Sequence, residues 1–296
     1  MEFIPAKTLI TRTKDTSWFG TRYNMNIYKG CNHGCIYCDS RSSCYQIEAF
    51  DTVRAKENAL AIIRQQLKGS LGKGVIGTGS MSDPYNPFEK EYSLTRGALE
   101  LINQYHFGVS IATKSHLIER DMDLLSQIKK HSPIIVKMTV TTHDDLLSKI
   151  IEPHVCVPSK RLAAIKKMSE AGIFCGILMM PILPFIGDNE ENITTIVRLA
   201  AENGARFIYP AIGMTLRQNQ REYFYQQLEA SFPGIKEKYE RQFGDSYKCI
   251  SPRVKELWPL FVERCKDYGL LYKMQDIIKV YQSDYWKEEQ LSLFIK

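Results

Sequence analysis

The sequence contains no stretch able to cross a membrane as a helix. Its longest apolar runs, such as Ile173–Ile186, are short or interrupted by proline, whereas a spanning helix needs about 20 apolar residues. The opening residues, MEFIPAKTLI, lack the long apolar core and small-residue cleavage site of an export signal. A cytoplasmic protein without a membrane partner is the expectation. Charge of one sign is not concentrated anywhere. The net charge is +6, and each of the segments 1–22, 23–215 and 216–296 nets +2, so composition permits a polyanionic partner without requiring one. No repeat or low-complexity tract stands out, which sets aside solenoids and disordered linkers. What is present is ordinary for a globular enzyme: 296 residues, 44% apolar and 24% charged, enough chain to bury a core without disulfides.

Cysteine is the exception. Eight cysteines in a cytoplasmic chain read as thiols, metal ligands or catalytic groups before disulfides. Cys31, Cys35, Cys38 and Cys44 crowd together, whereas Cys156, Cys175, Cys249 and Cys265 are scattered.

From residue 23 onward, short strand-like runs alternate with helical patterns. Strands are expected at Tyr23–Tyr28, Gly74–Gly79, Phe107–Thr113, Pro133–Val140, Gly172–Met180 and Ala205–Pro210. Helices are expected at Val53–Leu67, Leu94–Tyr105, Arg120–Lys130, Ser159–Glu170 and Glu190–Glu202. This alternation predicts parallel βαβ units that curl, through right-handed crossovers, into an open partial barrel. After Met214 the pattern becomes helical over 217–243 and 252–268, without strand alternation. The expected divisions are an arm (1–22), a barrel (23–215), a helical C-terminal extension (216–285) and a tail (286–296).

The run Cys31-Asn-His-Gly-Cys35-Ile-Tyr-Cys38 directly follows the first expected strand. Three thiolates at this spacing can hold three irons of a cubane and leave the fourth without a protein ligand, and an open metal position can take an exogenous group. Gly30 and Gly34 suit tight turns around such a group. The competing reading is a zinc knuckle using Cys44 or His33 as fourth ligand, although zinc sites usually come as two closely spaced cysteine pairs.

With an aromatic residue, Tyr37, immediately before its third cysteine, this motif resembles that of the radical S-adenosylmethionine (SAM) superfamily. The resemblance covers residues 23 to about 215. Ser82-Asp83-Pro84-Tyr85-Asn86-Pro87, Thr113-Lys114-Ser115 with Arg120-Asp121, and Ile151-Glu152-Pro153 resemble the branch related to spore photoproduct lyase, the DNA repair photolyase-like group. The resemblance implies an α/β fold, a partial (β/α)6 TIM-like barrel of the radical SAM type with a helical C-terminal extension. It implies a [4Fe–4S] cluster on Cys31, Cys35 and Cys38, SAM chelated to the open iron, and reductive cleavage to a 5′-deoxyadenosyl radical that abstracts hydrogen. An electron donor such as flavodoxin or ferredoxin would supply the electron.

Groups at the C-terminal ends of barrel strands would hold SAM. Ser80, Ser82 and Asp83 follow the second strand, where the superfamily holds the SAM amino group, and their oxygens can accept from an ammonium. Lys114 would pair with the SAM carboxylate. Thr141, Thr142 and Glu152 are candidates for ribose or amino contacts, while Glu152 has a competing use as a partner of Arg161. One departure matters: the lyase carries a cysteine hydrogen donor where this chain has Met81, which has no S–H. Another donor, a tyrosine or Cys156, then takes its place, or the reaction differs.

Gln290-Leu291-Ser292-Leu293-Phe294 resembles the pentapeptide by which bacterial polymerases and repair proteins dock on the DNA sliding clamp. Its apolar residues suit insertion into hydrophobic pockets. In 217–273 aromatics interleave with Arg and Lys, a composition able to stack bases and neutralise phosphates. The expected activity is radical SAM chemistry on nucleic acid. RNA, a peptide or a small metabolite are alternative substrates, and a zinc-stabilised binding module is the non-enzymatic alternative.

Overall fold

The computed structural model describes residues 1–285, so the clamp-like segment Gln290–Phe294 lies outside the described residues. The chain starts with β1 (Glu2–Ile4) and β2 (Ile10–Arg12), enters the main sheet at β3 (Tyr23–Met25) and leaves it for β4 (Tyr28–Lys29). The cysteine loop leads to β5 (Arg54–Lys56) and α1 (Ala59–Lys68). A regular alternation follows: β6 (Val75–Thr78), α2 (Glu89–Tyr92), α3 (Leu94–Gln104), β7 (Gly108–Thr113), α4 (Met122–Ile128), β8 (Ile134–Thr139), α5 (Asp145–Ile151), α6 (Pro158–Glu170), β9 (Cys175–Ile182), α7 (Glu190–Glu202) and β10 (Phe207–Thr215). Beyond it lie α8 (Gln220–Ser231), α9 (Ile235–Phe243), β11 (Lys248–Ile250), α10 (Val254–Asp267) and α11 (Met274–Gln282).

The main sheet runs β11-β10-β9-β8-β7-β6-β3-β2. Its central strands β3, β6, β7, β8, β9 and β10 are parallel in sequence order, the expected (β/α)6 arrangement. β2 and β11 close the two edges antiparallel. The six residues of β8, IIVKMT, are all buried, as a parallel strand covered on both faces requires. Helix starts follow local chemistry. Asn189 caps α7 by accepting from the Asn192 amide, with Glu190 and Glu191 in the first turn, and Pro158 opens α6.

Several expectations need correction, each because a distant partner overrode a local pattern. Tyr23–Tyr28 is not one strand: Tyr28 turns into a second, three-stranded sheet, order β1-β5-β4, where its hydroxyl donates to the buried carboxylate of Glu89. The helix expected from Val53 begins only at Ala59, because Ala55 is the centre of that small sheet, between Phe3 and Tyr28. A 3₁₀ turn over His116–Asp121 replaces the start of the helix expected at Arg120. It holds Arg120 and Asp121 in an ion network in which the partly exposed Arg96 and Arg120 pair with the buried carboxylates of Asp121 and Glu89. Residues 10–12 extend the main sheet, and the region beyond Met214 contributes strand β11, pairing Met214 with Cys249. Among the described residues no helix is long and apolar enough to cross a membrane.

β9 and β10 approach closely at Gly176. Gly176 lies between Lys137 and Phe207 in the strand register, and a Cβ there would sit 2.3 Å from the Phe207 carbonyl oxygen. Gly176→Ala is therefore expected to cost about 1–3 kcal/mol by overpacking, read as a lower denaturant midpoint with unchanged slope.

Candidate cofactor site

The cysteine loop leaves β4 through Gly30 and Gly34, both at positive φ (81° and 70°). Its backbone is tied down on two sides: the Cys31 amide donates to the Phe50 carbonyl (2.8 Å) and the Ile36 amide to the Ile151 carbonyl (3.0 Å). Cys31, Cys35 and Cys38 line one cavity of about 350 Å3. The opposite wall is built from the C-terminal ends of β6, β7 and β8 and brings in Gly79, Ser80, Met81, Ser82, Asp83, Thr113, Lys114 and Thr139.

Chain segments approach closely here. Gly79, at φ +92°, leaves no space for a side chain: a Cβ would sit 1.8 Å from the Ala112 carbonyl oxygen. Ser82 donates its hydroxyl to the Gly30 carbonyl (2.6 Å), joining the strand end to the cysteine loop. The Asp83 carboxylate is engaged on both oxygens. Oδ1 accepts from Thr113 Oγ1 (2.7 Å) and the Tyr85 amide (2.9 Å), and Oδ2 accepts from the Lys114 amide (2.7 Å). His33 Nδ1 lies 3.7 Å from Oδ2, and burial holds this imidazole below its ordinary value, with Asp83 opposing. Ser80 is exposed at the rim.

Burial lifts the Cys31 thiol to about 11, and it lifts the Cys35 thiol well above its ordinary value against the opposing pull of Lys114. Burial disfavours the Lys114 ammonium, but Cys35, Glu152 and Cys38 outweigh it and hold the amine above its usual value. A metal binding these thiols has to displace their protons, and a fixed cation beside the sulfurs favours the thiolates it needs. A three-thiol donor set on one cavity with an ammonium at its side fits an iron–sulfur cluster. Cys44 does not join it: the exposed thiol contacts Ser42 Oγ (2.9 Å) and Arg217 (3.3 Å). Among the described residues, no three His, Cys, Asp or Glu side chains gather round a single-ion position.

Three expected residues stand elsewhere. Thr141, Thr142 and Glu152 do not line the cavity. Both Glu152 and Arg161 are inaccessible to solvent, and Arg161 Nη2 meets Glu152 Oε2 at 2.5 Å. The Tyr37 hydroxyl also donates to Glu152, and Thr141 Oγ1 lies 3.5 Å from it. The competing use as an ion-pair partner is thus the one the fold makes of Glu152, a charged peg behind the cysteine loop. Thr142 is buried as the turn residue accepting from the Asp144 amide. Cys156 donates to the Lys114 carbonyl (3.0 Å) and faces a separate pocket with His33, His116 and His154. Among the described residues, neither a tyrosine nor a thiol outside the triplet lines the main cavity.

Sequence reasoning missed the deeper lining, which includes Trp18, Thr21, Asn24, Lys137 and Leu178. A lysine inside the apolar β8 run was the signal for one of them. The other positions carry no motif.

The sequence model of the Radical SAM superfamily matches residues 25–200. An uncharacterized protein of Mycobacterium tuberculosis is 28% identical over 244 residues, 80% of this chain and 72% of that protein. One of Methanocaldococcus jannaschii is 38% identical over 190 residues, 63% of this chain and 69% of that protein. Among solved structures, spore photoproduct lyase complexed with dinucleoside spore photoproduct superposes with a TM-score of 0.67 at 16% identity, covering 92% of this chain and 81% of that one. A radical S-adenosylmethionine methyltransferase from Kitasatospora setae, with tryptophan substrate and a SAM analog bound, gives 0.55 at 12% identity, covering 92% and 62%.

Proposed function

This chain belongs to the radical SAM superfamily, and from that premise we propose that it abstracts hydrogen from a nucleic-acid substrate in a reaction of the repair-lyase type. It is an enzyme whose cofactors are a [4Fe–4S] cluster and SAM. The observation that carries the proposal is the convergence of Cys31, Cys35, Cys38, Ser80, Ser82, Asp83 and Lys114 on one cavity at the C-terminal strand ends, where barrels place their chemistry. The likeness in fold to spore photoproduct lyase supports the choice of substrate class.

When bound and reduced, the cluster supplies the electron that cleaves SAM to a 5′-deoxyadenosyl radical. The residues hold and aim. Cys31, Cys35 and Cys38 would ligate the cluster. Lys114, half-buried with its Nζ over the Tyr37 ring at 5.6 Å, would meet the SAM carboxylate as a point charge. Ser80 and the free lone pairs of Ser82 would accept from the amino group. Asp83, with both oxygens engaged, acts mainly by fixing the β6–β7 ends around that position. The electron comes from a donor of the flavodoxin or ferredoxin kind, and the Gln290–Phe294 segment adds clamp docking to the repair reading on sequence grounds.

The test is anaerobic. The reconstituted enzyme with dithionite and SAM is expected to form 5′-deoxyadenosine, and ultraviolet-irradiated DNA is expected to raise the yield. No product from a protein with verified iron and sulfide would sink the reaction. A yield indifferent to DNA, together with DNA affinity that lacks a steep salt slope, would remove the nucleic-acid substrate.

A further inference from the structure

Deep in the barrel, below the ring of cofactor candidates, lies a lysine that the proposed chemistry does not use. Lys137 sits in the centre of β8, paired with Ala112 of β7 and Gly176 of β9. It is 3% exposed and lines the same cavity as the three cysteines. Its Nζ donates to Ser110 Oγ (2.7 Å) and stands 4.5 Å from the centre of the Phe19 ring. Phe19 is itself anchored from below: its carbonyl accepts from Tyr281 Oη (2.5 Å), and its amide donates to Met274 Sδ. Lys137 forms no ion pair among the described residues. The remaining charges of the cavity stand at its upper end, where Lys114 faces Cys35, Cys38 and Glu152, and Asp83 is spent on Thr113 and backbone amides. α11, which packs beneath, leaves Asp276 and Lys279 exposed to solvent.

We propose that Lys137 anchors the substrate by receiving a phosphate group at the floor of the cavity. Burying an ammonium without a counter-ion opposes folding, and a methionine would fill the same space without that penalty. One hydrogen bond to Ser110 leaves donor capacity of the amine unspent. Ala112, its register partner on β7, presents only a methyl group to the same cavity. Burial alone pulls this amine down to about 7, so an arriving anion fixes a proton on it. Lys114 is already assigned to the SAM carboxylate and stands beside the cysteine loop, at the other end of the cavity. The identity of the anion as a phosphate rests on the nucleic-acid reading above; the anion-binding amine does not.

Calorimetry on the reconstituted holoenzyme tests this with three probes: pyrophosphate, thymidine monophosphate and SAM. Titrations run about one pH unit above the value of the amine, in two buffers of different ionisation enthalpy. Wild type is expected to take up close to one proton per phosphate ligand bound. Lys137→Met is expected to lose that uptake and roughly 10–100-fold in affinity for both phosphate ligands, while keeping its affinity for SAM. Its thermal midpoint should equal or exceed that of wild type, since the substitution removes a buried amine and little volume. Pyrophosphate behaving so while thymidine monophosphate does not bind would uphold the anion site and remove the nucleotide from it. Absence of proton uptake in wild type, or unchanged phosphate affinity in the variant, overturns the proposal. So does a loss confined to SAM, which would make Lys137 a cofactor ligand.

Discussion

Alanine at Cys31, Cys35 or Cys38, one at a time, is expected to abolish cluster binding and 5′-deoxyadenosine formation while the barrel stays folded. All three thiols line the same cavity, and a cluster held by three protein ligands has none to spare. Loss of a residue that merely supports a metal ligand costs about 10–100-fold in affinity or activity, so loss of a ligand itself should exceed that range. The stability cost is smaller. Cys35 is 6% exposed within a satellite core with Ile36, Tyr37 and Ile151, and removing one sulfur from such a site costs about 1 kcal/mol, on the scale of deleting a buried methyl group. Iron and acid-labile sulfide per chain, measured beside thermal unfolding, separate the two effects. Cys44→Ala and Cys175→Ala serve as controls and should retain the cluster. Cys44 faces Arg217 outside the cavity, and Cys175 is buried in β9. Full iron and sulfide content in an alanine variant of the triplet would remove that cysteine from the ligand set.

The second large effect is expected behind the loop. Arg161→Met leaves Glu152 inaccessible to solvent and without its cation, which should cost about 3–5 kcal/mol. The effect should carry a pH signature. In the native protein burial opposes the Glu152 carboxylate, but Arg161 and Lys114 outweigh it and hold the group below its ordinary value. Its contribution to stability is therefore present above the unfolded-state value, about 4.3, and is lost as pH falls through the lower folded value. In Arg161→Met the balance turns toward burial and the carboxylate rises, so the variant is expected to be least stable at about pH 8 and to recover part of the deficit near pH 5. Adding Glu152→Gln should restore most of the loss at neutral pH, because the pair matters chiefly when half of it is missing. Denaturant midpoints at the two pH values measure all three proteins, and a pH-independent deficit would rule out an uncompensated carboxylate. Because Tyr37 donates to Glu152 and the Ile36 amide bonds to Ile151, the same variant should also bind the cluster less tightly.

The cysteine triplet was legible because its pattern is local: three thiols within eight positions announce themselves in any fold. Ser80, Ser82, Asp83 and Lys114 were legible for a related reason, since residues at successive strand ends fall on one rim once the strands are parallel. Glu152 carried the same kind of signal and met a different fate. It stands behind the loop because α6 brings Arg161 to it, a contact that the spacing of residues 152 and 161 leaves open. Lys137 shows the converse. The run PIIVKMTV reads as one strand with its lysine included, and only the tertiary structure brings Lys137 into the lining of a cavity.

The sequence by itself determined the alternation of strands and helices and the parallel barrel that follows from it, because periodicity acts over a few residues, and it carried the motif whose family resemblance implied the cofactor class. Tertiary structure alone decided that Tyr28 and Ala55 build a second sheet and that Lys248–Ile250 closes the barrel edge. It also decided which buried charges are paired and that Lys137, which forms no ion pair among the described residues, faces the cavity. Those outcomes depend on partners tens of residues away, and the free energy of burying a polar group is set by the partner it meets rather than by its neighbours in sequence.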